Sequence, residues 1–153
     1  MADNFSRYSS TRAKANYKDV FYQGSALIFI RLNDVFPFPD DITEISRSLE
    51  GQYLLEAFQF TLDFLENAGL IRRFNQQDRL DGIDKDLSRY NMMYALSPVA
   101  YKELQSKSQD LTLGSGNDII VTLLKKTLRE KEVDVRRQLI KKQIDNILNS
   151  CVR

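Results

Sequence analysis

Apolar positions first recur in a clear pattern after Gly24. Ala26, Leu27, Ile28, Phe29, Ile30 and Leu32 surround a helical wheel almost completely, which predicts a buried helix from a Ser25 cap to about Val35. A strand is the competing reading for so short an apolar run. Residues 1–18, rich in Ser, Arg and Asn, show no convincing period and are expected to form a mobile arm or a short helix that orders on a partner, within a polar amino-terminal arm over 1–23. Phe36-Pro37-Phe38-Pro39 cannot continue a helix, because two prolines remove donors and extend the residues before them.

Asp40 and Asp41 stand where a cap belongs, ahead of Ile42, Ile45 and Leu49 at helical spacing. Gly51 breaks this short helix, and a longer one follows from Gln52 to Ala68. Its buried stripe is expected to hold Leu54, Ala57, Phe58, Thr61, Leu65 and Ala68, widened by Tyr53, Phe60 and Phe64. Gly69 is the left-handed terminator. Leu70 to Phe74 and Met92 to Leu96 read as two strands joined by a polar, charged loop containing Gly82. Ser97-Pro98 supplies cap and first position for a helix through Leu104.

Leu111-Thr112-Leu113-Gly114-Ser115-Gly116 then reads as part of a flexible linker over 109–116. Apolar residues from Ile120 onward are spaced by threes, fours and sevens almost to the end, with a charged stretch, Arg129 to Asp134, in the middle. Residues 117–153 are therefore one amphipathic helix of up to about 50 Å at 1.5 Å per residue, or two helices bent near Val133.

Two stretches resemble the winged helix-turn-helix superfamily. Thr61-Leu62-Asp63-Phe64-Leu65-Glu66-Asn67-Ala68-Gly69-Leu70-Ile71-Arg72-Arg73 is similar to that family's passage from recognition helix into wing. Tyr94-Ala95-Leu96-Ser97-Pro98-Val99-Ala100-Tyr101-Lys102-Glu103-Leu104 is similar to the exit from the wing, with Ala100 where many members carry glycine. The resemblance implies a mainly α fold with a small antiparallel β wing over 24–108, followed by a C-terminal helical extension. In such regulators the extension commonly dimerises the protein.

Composition removes several chemistries. Histidine is absent and Cys151 is the only cysteine. Zinc-finger ligand sets, internal disulfides and histidine-activated nucleophiles cannot be assembled. Asp40/Asp41 and Asp81/Asp84/Asp86 offer carboxylates but no identifiable partner base, and no phosphate-binding glycine loop is present, so neither an enzyme nor a bound cofactor or metal is expected. The early apolar run ends at Arg31, far short of a membrane span, and the expected location is cytoplasmic.

Charge is unevenly placed. Residues 1–24 carry four basic and two acidic side chains, residues 25–116 nine and fourteen, and residues 117–153 nine and five. The polar face of the 52–68 helix, Gln52, Glu56, Gln59, Asp63, Glu66 and Asn67, holds three carboxylates and no cation. Against phosphates it meets repulsion in place of counterion release, so these residues are read as a partner-docking surface. Cations suited to a nucleic-acid backbone lie elsewhere, at Arg72, Arg73 and Arg79 in the wing and at Lys125, Lys126, Arg136 and Arg137. On one continuous helix, Lys125 and Arg136 share a face. Leu124, Leu128, Leu139, Ile140, Ile144 and Ile147 need cover from the winged domain, a twin subunit or another protein, and are taken as the oligomerisation surface of a homodimer. Two functions follow as expectations. One is a non-catalytic assembly subunit docking on protein, within a DNA-associated complex. The other is a dimeric regulator touching duplex DNA through the wing and the basic ends.

Overall fold

A computed structural model of the chain describes residues 2–49, 54–74, 93–114 and 116–152. The elements run α1 (Ala2–Val35), β1 (Asp40–Asp41), α2 (Thr43–Ser48), α3 (Leu54–Asn67), β2 (Ile71–Arg73), β3 (Met93–Leu96), α4 (Pro98–Leu104), α5 (Ile120–Leu128) and α6 (Val133–Cys151). The chain is mainly helical with one small antiparallel sheet of order β1-β3-β2. Asp40 pairs with Tyr94 on one side of β3, and Ile71 with Leu96 on the other.

The amino-terminal segment is helical, but it is not a short helix of its own. Residues 2–23 are not a separate arm: they belong to the same helix as Ala26–Leu32, and the helix passes through Gly24 without a break. Gly24 sits where α1 crosses its neighbours, since a Cβ there would lie 3.7 Å from Leu49 and 3.8 Å from Phe58. Ser25 is accordingly no cap. It is fully buried inside the helix, and its hydroxyl has no hydrogen-bond partner.

At the other end of α1 the expected cap does not form: Ile42 takes the cap position of α2 with no side-chain bond, and Asp41 closes a local turn onto Thr43. Its carboxylate accepts from the Thr43 backbone N–H at 2.9 Å and from the Thr43 hydroxyl at 2.5 Å. Asp40 and Asp41 form β1, so the turn and the edge strand share Asp41.

α3 buries Ala57, Phe58, Thr61, Leu62 and Leu65. Phe60 and Phe64, expected to widen that stripe, stand instead on the outer side, 57% and 40% exposed. The helix ends in a Schellman turn: Gly69 N–H donates to Glu66 O at 3.0 Å, and Leu70 N–H to Leu65 O at 2.9 Å. Gly69 takes φ +79° with open space around a would-be Cβ, so only backbone conformation opposes a side chain there. Gly69→Ala is expected to lower stability by about 1 kcal/mol in urea unfolding, with no change in slope. Ser97 caps α4 as expected, accepting from Ala100 N–H at 3.3 Å, with Pro98 in the first turn.

The stretch expected to be a flexible linker is fastened at its base. Ser108 N–H donates to Asp118 O at 2.8 Å and Ile120 N–H to Ser106 O at 2.9 Å. Its turn is anchored by Asp110, whose carboxylate accepts from Thr112 and, at 2.9 Å, from Asn146 of α6. Those bonds hold the carboxyl down at about 2.

After that loop come two helices, not one. α5 ends at Leu128 and α6 starts at Val133, with the charged Arg129–Glu132 stretch between them. Leu124, Ile140, Ile144 and Ile147 are at most 1% exposed and belong to the same core as Phe29, Leu62, Leu70 and Tyr94. Leu128 packs on that core from its edge. These side chains, assigned above to an oligomer interface, find their cover within the chain. The physical reason is the break at Arg129–Glu132, which folds α6 back against α1, α4 and α5. Polar bonds fix the arrangement: Tyr22 Oη donates to Asp145 Oδ1 at 2.9 Å, and the buried Gln143 Nε2 to Thr127 Oγ1 at 2.5 Å.

Candidate functional site

Tyr17, Phe21 and Tyr22 recur at helical spacing on one side of α1, and Phe60 and Phe64 recur one turn apart on α3. Where the two helices run together these rings, with Lys18 and Leu148, line an apolar trough of about 410 Å³. Phe21 meets Phe64 edge-to-face at 5.1 Å, and Phe60 lies 6.5 Å from Phe64. Such edge contacts fix ring orientation at little entropic cost.

The two borders of the trough differ in charge. Beyond Phe60 and Phe64 lies the outer face of α3, with Glu56, Gln59 and Asp63 exposed. Glu56 accepts from Tyr17 Oη at 2.5 Å, and Gln59 Nε2 donates to Asp63 at 2.9 Å. On the far side of α1, Lys18 and Tyr22 also line a second hollow of about 280 Å³ with Arg137 and Lys141 of α6. Arg137 pairs with Asp19 at 3.2 Å, and Lys141 with Asp145 at 3.1 Å while standing 5.6 Å from the Tyr22 ring. Burial and the neighbouring Asp145 push the Tyr22 hydroxyl up. The trough therefore has carboxylates beyond its α3 border and the exposed cation Lys18 on its α1 border, while Arg137 and Lys141 lie in the neighbouring hollow, paired with Asp19 and Asp145.

Of the docking residues expected from sequence, Glu56, Gln59, Asp63 and Glu66 share the outer side of α3, and Gln52 lies outside the described residues. The expected nucleic-acid contacts do not come together. Arg79 lies outside the described residues, and Arg72 is exposed on β2. Arg73 is drawn back against its own domain, 3.8 Å from Glu66 and donating to the Tyr94 hydroxyl at 3.2 Å. Lys125 pairs with Asp34 at 3.1 Å and Arg137 with Asp19, partners about 22 Å apart along α1 at 1.5 Å per residue. Arg136 donates to the Glu130 carbonyl at 3.0 Å, and Lys126 is exposed. The shared face of Lys125 and Arg136 presupposed an unbroken helix, and the break before Val133 removes it.

Leu139 is the one expected interface residue left half-exposed and outside the core, since Leu128 at least packs against it. Sequence reasoning missed the trough because Tyr17, Phe21 and Tyr22 fall inside the stretch read as a polar arm. The signal was their i, i+4, i+5 spacing.

Comparison with protein-family models, curated proteins and solved structures returns no match. Among the described residues, no helix is long and apolar enough to cross a membrane, and no three metal-ligating side chains come together.

Proposed function

We propose that this chain is a non-catalytic, winged-helix-type assembly subunit that acts by pairing protein surfaces through the α1–α3 trough. The order of elements supports the winged reading: a helix, an edge strand, two helices, two further strands, and a sheet in which the last strand lies between the other two. The observation that carries the function is the outer side of α3, which presents Phe60 and Phe64 beside Glu56, Gln59 and Asp63 and holds no cation. Exposed aromatic rings with a charged border are suited to protein contact. A face of this charge repels a phosphate backbone.

The occupant is a second copy of the chain. One border of the trough carries Glu56 and Asp63 and the opposite border carries Lys18, so a two-fold axis running along the trough lays Lys18 of each copy against the acidic border of the other. Isologous pairing requires that self-complementarity. This moves the homodimer from the C-terminal helices, whose apolar side chains are already covered, to the trough.

Light scattering tests the proposal. The wild-type chain is expected to show twice its 17.8 kDa mass. Asp63→Lys alone and Lys18→Glu alone should each give the single-chain mass, and an equimolar mixture of the two should recover the doubled mass. A monomeric wild type, or a mixture that stays monomeric, overturns self-pairing at this face.

A further inference from the structure

A third hollow, separate from the trough and from the one beside Arg137, lies between α4, α5, α6 and the loop over 105–119. It encloses about 570 Å³, within the range of small-ligand sites. Its apolar wall includes Leu113, Leu123 and Ile147. Three polar groups on its lining differ in what they still lack. Asp110 is already supplied by Thr112, Asn146 and, at 3.7 Å, Lys142. Glu103 lines the same space half-buried and has no ion pair among the described residues. Gln143 is 4% exposed; its Nε2 is bonded to Thr127, but its buried Oε1 accepts nothing.

A buried amide oxygen without a donor is rare in folded proteins, because it has left water and gained nothing. Glu103 is half-exposed and still hydrated, and it adds an unpaired negative charge to the same wall. One kind of molecule answers both: an apolar body carrying N–H donors and a positive charge. We propose that this cavity binds a small organic amine, its ammonium at Glu103, a donor reaching Gln143, and its apolar part against Leu113, Leu123 and Ile147. Anions are disfavoured by the two carboxylates. A water molecule on Gln143 is the competing occupant, and the test separates the two.

The chain contains no tryptophan, so indole emission excited beyond the tyrosine band reports a probe alone. Tryptamine is expected to bind saturably with a blue-shifted emission. Indole-3-propionate, with the same ring and the opposite charge, should not. Glu103→Gln should weaken tryptamine about tenfold by removing the charged partner, and Gln143→Met severalfold. Glu56→Gln, at the trough, should leave binding unchanged. Urea unfolding of each variant shows that it is folded, and Glu103→Gln, half-exposed, keeps the test open if Gln143→Met fails to fold. The proposal is overturned by no saturable shift with tryptamine, which leaves water as the occupant. It is equally overturned by equal binding of the two indoles, or by sensitivity to Glu56→Gln in place of Glu103→Gln.

Discussion

Ile144→Asp is expected to abolish the cooperative unfolding transition of the whole chain, including the part built from α1, α3 and the sheet. Ile144 has no exposed surface and lies in the core that also holds Phe29, Leu62 and Tyr94. A carboxylate placed there has no cation to meet, and an uncompensated buried charge costs several kcal/mol. The lost isoleucine packing adds about 2–5 kcal/mol, against a total stability of about 5–15 kcal/mol for a single domain. The graded variant Ile144→Ala should lose about 2–5 kcal/mol and still unfold in one step. Circular dichroism and tyrosine fluorescence followed in urea should give the same midpoint for Ile144→Ala. Two separate midpoints would mean that α5 and α6 unfold apart from the rest.

Phe29→Ala is expected to cost about 3–5 kcal/mol, whereas Phe64→Ala should cost less than about 1 kcal/mol. Phe29 is fully enclosed towards the C-terminal end of α1, so its removal leaves a cavity that rigid neighbours fill poorly. Phe64 is 40% exposed, and its main aromatic neighbour is the edge of Phe21. Paired urea unfolding curves at a concentration low enough to keep the chain monomeric measure the difference. Equal losses at the two positions would place Phe64 in the core, where periodicity alone had put it.

That pair also shows how far the sequence could be read. The inner face of α3 was legible because Ala57, Phe58, Thr61 and Leu65 repeat at helical spacing. Phe60 and Phe64 were misassigned because hydrophobicity does not distinguish a ring that faces the core from one at a border between two helices. Gly24 resembled a boundary because glycine commonly ends helices, and no local signal reveals that another helix crosses there. β1 could not be seen at all: two aspartates show no alternation, and only the register with Met93 and Tyr94 makes them a strand. The proposed amine cavity was equally hidden, since Glu103 and Gln143 stand forty residues apart and come to line one space only after α6 folds back.

The sole cysteine adds a chemical constraint. Cys151 is half-buried at the end of α6, and burial together with the charge of Glu103 pushes its thiol up to about 11. Near neutral pH, roughly one molecule in ten thousand then presents the reactive thiolate. Oxidants and exchange partners find little to attack, so the self-pairing proposed at the trough would be reversible rather than covalently locked. Such an association would respond to concentration and salt, and not to redox poise.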